Sequence, residues 1–209
     1  MKEYKKLLLS NKAWASERLA VDENYFENLS KDQNPLFLWI GCADSRVPAE
    51  EITHADPGEI FVHRNVANMV VHTDINLLSV LQYAVEVLQV KHIIVCGHYN
   101  CGGVRAAMTN TDYGLINKWL RNIKEVYEKH FEQLTTIKNE QDRFNTLVEL
   151  NVAEQIKNLA KTTIVQKAWA TRGFPHLHGW VFDIQHGEIK EVLNIDAGEW
   201  QSPVFTYEF

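Results

Sequence analysis

The sequence predicts an α/β fold: a mostly parallel central sheet of four strands plus a fifth edge strand, flanked by helices and preceded by an N-terminal helical arm. Three observations predict it. Short, continuous apolar runs that suit strands buried in a sheet recur at residues 36–41, 59–64 and 92–97. A helix-spaced stretch joins the second run to the third through short connections, the strand–helix–strand pattern of a parallel sheet with right-handed crossovers. Two further runs flank His186-Gly187, a hairpin signal that adds an antiparallel edge.

Residues 1–30 read as one or two amphipathic helices, with Leu7, Leu8, Trp14, Leu19, Tyr25, Phe26 and Leu29 as apolar positions, packing outside the main core as an arm or against a second subunit. The first strand, Leu36 to Gly41, is bounded by Pro35 and by polar Asp44, Ser45 and Arg46; the second follows the turn Asp56-Pro57-Gly58. Between the second and third, Thr73 to Gln89 is a helix with Thr73 or Asp74 as cap and Leu77, Leu78, Leu81, Val85 and Leu88 at helical spacing. A short helix is expected from Val104 to Met108, and two longer ones over 115–130 and 146–161. Thr162 caps another that ends near Gly173. Strands over 177–184 and 188–195 complete the sheet.

The 209 residues contain no internal repeat, low-complexity segment or Pro/Gly/Ser-rich linker, so one domain over 1–209 is expected, with an arm at 1–30 and an α/β core at 31–209. With 21 Lys+Arg against 27 Asp+Glu, the net charge of −6 repels polyanions, and neither nucleic acid nor anionic lipid is an expected partner. The longest wholly apolar stretch, Leu36 to Ala43, falls far short of the ~20 residues that cross a bilayer. No membrane span is expected, and the brief Leu7-Leu8-Leu9 run makes a poor secretory signal. Three cysteines are too few for a disulfide framework and suit a reducing cytoplasm.

Two motifs follow directly on buried strands: Cys42-Ala43-Asp44-Ser45-Arg46 after the first and His98-Tyr99-Asn100-Cys101-Gly102-Gly103 after the third. In a parallel sheet both loops leave from the carboxyl edge, where open α/β folds bind ligands. Two thiols and an imidazole at Cys42, Cys101 and His98 select zinc over harder cations, and three strong ligands leave a fourth position for water or a weaker group. Asp44 is near enough in sequence to be that group, while Arg46 competes for its carboxylate; either Asp44 closes the site or Arg46 holds it open. Cys96, inside the third strand, reads as core, and the histidines other than His98 as surface or hydrogen-bonded core residues.

Together these motifs resemble the β-class carbonic anhydrases. The resemblance runs over roughly residues 30–182 and includes Gly58-Glu59-Ile60-Phe61-Val62-His63-Arg64-Asn65-Val66-Ala67-Asn68 and Leu177-His178-Gly179-Trp180. It implies reversible hydration of CO2 to bicarbonate and a proton by zinc-bound hydroxide, one Zn2+ per subunit, and self-association as a homodimer or homotetramer. By position, Cys42, His98 and Cys101 would hold zinc, joined by Asp44 in a closed state, and Asp44 with Arg46 would form the catalytic dyad. Gln33, Phe61, Val66 and Tyr83 match the substrate cleft, with Gly102 and Gly103 beside it. Trp39, Gly41 and Arg64 match the non-catalytic bicarbonate pocket of the regulated, type II subgroup, although Phe182 stands where that pattern has tyrosine. Two competing functions are hydrolysis of a related molecule such as carbonyl sulfide or carbon disulfide, and a zinc-stabilised bicarbonate sensor.

Overall fold

Five strands make one sheet in the order β2-β1-β3-β4-β5: β1 (Phe37–Cys42), β2 (Ile60–Asn65), β3 (His92–His98), β4 (His176–Asp183) and β5 (Glu188–Ile195). The first four are parallel and β5 runs antiparallel to β4, as the hairpin signal predicts. Gly187 takes a left-handed φ of 75° in the turn between them. β1 and β3 are buried on both faces, through Leu38, Trp39 and Ile40 in one and Ile93, Ile94 and Val95 in the other. Their side chains therefore read as continuous apolar runs. Because β1 lies between β2 and β3, the connections from β1 and to β3 diverge, opening a crevice at the carboxyl ends of these two strands.

The computed structural model describes residues 2–209, which divide into two units between Asn34 and Pro35. In the first, α1 (Glu3–Val21) and α2 (Tyr25–Leu29) are joined by an edge-to-face pair, Trp14 and Phe26, with centroids 5.4 Å apart. Two helices form as expected, but α1 is not amphipathic. Leu7, Leu8 and Leu9 are consecutive, so they fan out around the helix rather than along one stripe, and all three are exposed.

In the second unit, α3 (Ala49–Thr53) is a short helix the sequence pattern does not announce. Asp74 caps α4 (Ile75–Gln82) by accepting from the amides of Asn76 and Leu77, and the expected continuation to residue 89 becomes a π-helical turn, Tyr83–Val87. α5 (Gly102–Ala107) is followed by α6 (Asn117–Lys129) and α7 (Phe131–Thr136). α8 (Glu140–Ala160) begins earlier than expected, at the cap Asn139, because its first turns are polar and leave no apolar period to read. Thr162 caps α9 (Thr163–Arg172), which ends at left-handed Gly173. α8 lies across β3 and β4, where glycines let it approach: a Cβ at Gly97 would sit 2.7 Å from Val152, and one at Gly179 would sit 3.0 Å from Ile156. Among the described residues, no helix is long and apolar enough to cross a membrane.

The chain leaves β2 through a sharp turn. Ala67 and Asn68 have φ of 63° and 49°, and both are buried. In the left-handed region a residue with a Cβ such as Ala67 costs about 1–2 kcal/mol, whereas asparagine is tolerated there more readily. The side chain of Asn65 spans this turn, accepting from the Met69 amide at 2.7 Å and donating to the Met69 carbonyl at 2.8 Å.

Candidate metal centre and its surroundings

The last residue of β1, the last residue of β3 and the residue that opens α5 meet in the crevice. Cys42, His98 and Cys101 are buried, and their ligand atoms all lie within 4.8 Å of one another. The Cys42 and Cys101 sulfurs are 3.9 Å apart. Tetrahedral zinc with bonds of about 2.3 Å to sulfur needs about 3.8 Å between two thiolates, so the spacing fits the ion.

His98 completes the fit. Its Nδ1 faces the Tyr99 carbonyl at 2.9 Å and so carries the proton, leaving the lone pair on Nε2. Nε2 is buried and has no hydrogen-bond partner among the described residues. A lone pair that is buried, unpaired and turned towards two thiols is a ligand's arrangement. The contact between the two sulfurs pushes the Cys42 pKa down to about 4 against the effect of burial, while the same contact and burial push the Cys101 thiol up. Amides of Val104 and Gly103 at the start of α5 oppose that rise at Cys101. Cys96 is apart from this group, and burial pushes its pKa up, as suits a core thiol.

Asp44 and Arg46 sit on the turn after β1. Arg46 Nε donates to Asp44 Oδ1 at 2.9 Å and Nη2 to Oδ2 at 2.7 Å, a two-point grip to which the Arg46 amide adds a third bond at 3.0 Å. The Arg46 hydrogen bond holds the Asp44 carboxyl well below the usual carboxylate range. Arg64 steadies the same turn from β2, donating to the carbonyls of Cys42 and Asp44.

The other residues singled out by sequence fall into separate groups. Phe61 and Tyr83 pack together with ring centroids 5.8 Å apart. Val66 packs against Gly103, where an added Cβ would approach it to 2.9 Å. Gln33 is exposed and belongs to the first unit. Trp39 is buried on the same face of β1 as Gly41, and its own indole fills the space that the missing side chain leaves, so that space is not open to an anion in this conformation. Phe182 is buried and paired in register with His98.

Two groups around the site escape a reading by motif. The Tyr99 hydroxyl donates to Glu149 Oε1 at 2.5 Å and Lys190 Nζ to the same oxygen at 2.8 Å, tying the ligand loop to α8 and β5. Buried Asn151 and Gln155 hold the turn after β2. Their only signal in the sequence is a pair of amides one helical turn apart inside an apolar stripe.

The sequence model of the family described as "Carbonic anhydrase" matches residues 37–189. A carbonic anhydrase of Emericella nidulans is 52% identical over 191 residues, covering 91% of this chain and 83% of its own. A tetrameric β-carbonic anhydrase of Sordaria macrospora superposes with a TM-score of 0.90 at 41% identity, over 93% of this chain and 100% of its own. The β-carbonic anhydrase of Coccomyxa, solved with acetazolamide, gives 0.88 at 39% identity, over 93% and 89%. Sequence and fold agree along nearly the whole chain, which belongs to the β-class carbonic anhydrase family.

Proposed function

We propose that this protein catalyses the reversible hydration of CO2 to bicarbonate and a proton, with zinc held by Cys42, His98 and Cys101. The observation that carries this reading is the grouping of those three side chains beside the Asp44–Arg46 pair. The family's members are zinc enzymes, and the Cys–His–Cys group suits that ion. When bound, zinc supplies a Lewis acid that lowers the pKa of water. The chain's own groups do the rest. Arg46 fixes Asp44 as a charged acceptor, and Asp44 Oδ2, 3.8 Å from His98 Nε2, can take a hydrogen bond from the attacking water and aim its lone pair. The same closeness supports gating, in which Asp44 leaves Arg46 and takes the fourth ligand position.

Phe61, Tyr83, Val66, Gly102 and Gly103 are proposed to line a small, largely apolar cleft, which suits a substrate with little to hydrogen-bond. The chain is taken as one functional domain, 1–209, acting in the cytoplasm as a homodimer or homotetramer; the tetrameric Sordaria relative supports self-association. Stopped-flow CO2 hydration, measured before and after removal of zinc by a chelator, tests the function. Catalysis that disappears on chelation and returns with zinc is expected. No hydration even at alkaline pH refutes it, and release of hydrogen sulfide from carbonyl sulfide or carbon disulfide in its place favours the hydrolase.

A second reading, bicarbonate regulation at Trp39, Gly41 and Arg64, has one observation in its favour. Arg64 bonds the backbone at both Cys42 and Asp44. An anion that drew Arg64 away would loosen the turn carrying Asp44, and Trp39 would have to leave Gly41 to admit it.

A further inference from the structure

We infer that Asn151 and Gln155 are positioning residues that clamp the left-handed Ala67–Asn68 turn against both ends of the metal-ligand loop. The inference rests on the proposed hydratase function and adds residues outside the metal centre to it. The turn lies where it can matter. Val66 and Ala67 press on Gly103, two residues beyond Cys101, with an added Cβ there only 2.9 and 3.3 Å from their side chains. Asn68 Oδ1 would lie 3.4 Å from a Cβ on Gly97, the neighbour of His98. A shift of the turn therefore moves the backbone beside two ligands and the Val66 wall of the cleft.

Local sequence favours the turn only in part: Asn68 is of a type that tolerates the left-handed region and Asn65 bonds across to Met69, but Ala67 has no such help. Ala67 carries a Cβ in the left-handed region, and no glycine relieves it. Such a backbone persists when its surroundings over-determine it. Here the surroundings are side chains of α8 and α6. Asn151 Nδ2 donates to the Ala67 carbonyl at 3.2 Å, and Gln155 Oε1 accepts from the Val70 amide at 2.8 Å. Gln155 Nε2 donates to Asn151 Oδ1 at 3.1 Å, which fixes how both amides point. Asn158 Nδ2 reaches the Val70 carbonyl, and Trp119 Nε1 reaches the Val66 carbonyl at 2.8 Å. Asn151 and Gln155 are 1% and 0% exposed. Two amides buried within the apolar face of α8 would weaken the helix packing unless their bonds were used, and these bonds end on the turn's flanks, on each other or on Asn158.

The test uses full-length, zinc-loaded protein. In the unmodified chain, the Val70 amide is expected to exchange with solvent as slowly as amides in the middle of α8, although it lies outside any helix or strand; exchange at the rate of an open loop overturns the clamp. Asn151→Ala is expected to speed exchange at Val70 and to keep one zinc per chain. It should lower kcat/KM for CO2 by tenfold or more, chiefly by raising KM. Adding Ala67→Gly, which adopts the left-handed conformation without strain, should restore at least half of that loss. A lower melting temperature with unchanged KM, kcat and Val70 exchange makes Asn151 merely structural and overturns the inference. Loss of zinc in step with activity also overturns it. If the unmodified protein hydrates no CO2, the function fails while exchange at Val70 still decides the clamp.

Discussion

Asp44 is shared between two neighbours: its Oδ2 is 2.7 Å from Arg46 Nη2 and 3.8 Å from His98 Nε2. The two-point bond to Arg46 holds it off the ligand group. Electrostatics favours that arrangement, since a carboxylate bound by two parallel N–H donors gains both charge and direction. On the proposed gating, replacing Arg46 by Ala would free Asp44 to turn to the metal. Arg46→Ala is therefore expected to keep one zinc per chain and to lower CO2 turnover on the order of 100-fold. Stopped-flow rates beside metal analysis check it; an undiminished rate removes Arg46 from the mechanism.

The pH profile follows from the same pair. With its pKa depressed by Arg46, Asp44 is charged throughout the neutral range, so on the proposed gating its fitness as a fourth ligand would not change there. Its competitor does change, because water gives up a proton more readily as pH rises. The expected outcome is weak activity near pH 6 and a steep rise towards pH 9, read from hydration rates in matched buffers. A flat profile over that span contradicts the proposed competition.

The cysteines give a cleaner separation. Cys42→Ser and Cys101→Ser each replace a soft thiolate by a hydroxyl that stays protonated, so both variants should lose zinc. Cys96→Ala should keep one zinc per chain and lose only about 1 kcal/mol of stability, the effect of trimming a small core side chain. Zinc content by atomic absorption and urea unfolding test both halves.

How far the sequence carries these conclusions depends on the kind of signal. β1 and β3 are legible because strands buried on both faces are apolar at every position, and Cys42 and His98 are legible because they end those strands. The register that joins them is not written locally, yet the strand–helix–strand pattern implies it. α8 was hidden at its start, where polar residues precede the apolar stripe, and the π-helical turn at Tyr83 has no compositional mark. The left-handed turn is hidden for a sharper reason. Ala67 offers none of the usual glycine signal, and the groups that hold it lie on another helix, Asn151 being 84 positions away. Trp39 illustrates the limit in the other direction: strand alternation correctly puts it on the face of Gly41, but only side-chain packing reveals that the indole fills the vacant space.

Glu154 supports a prediction about stability rather than catalysis. The residue is 5% exposed on α8, and Lys129 and Lys157 donate to its carboxylate at 2.5 and 2.8 Å. Burial alone would raise its pKa, but the two lysines more than offset this and bring it down to about 2 from 4.5. A carboxyl whose folded pKa lies below its unfolded value stabilises the fold fully above about pH 4.5, and that contribution fades as pH falls towards 2. Glu154→Gln keeps the shape but leaves both ammonium groups without their counter-charge, so it should cost ~2 kcal/mol at neutral pH. The gap between the variant and the unmodified protein should shrink as unfolding is followed by urea titration from pH 5 down to pH 3. A gap that stays constant with pH would mean that Glu154 acts through packing, since only a charge that disappears on protonation gives the predicted convergence.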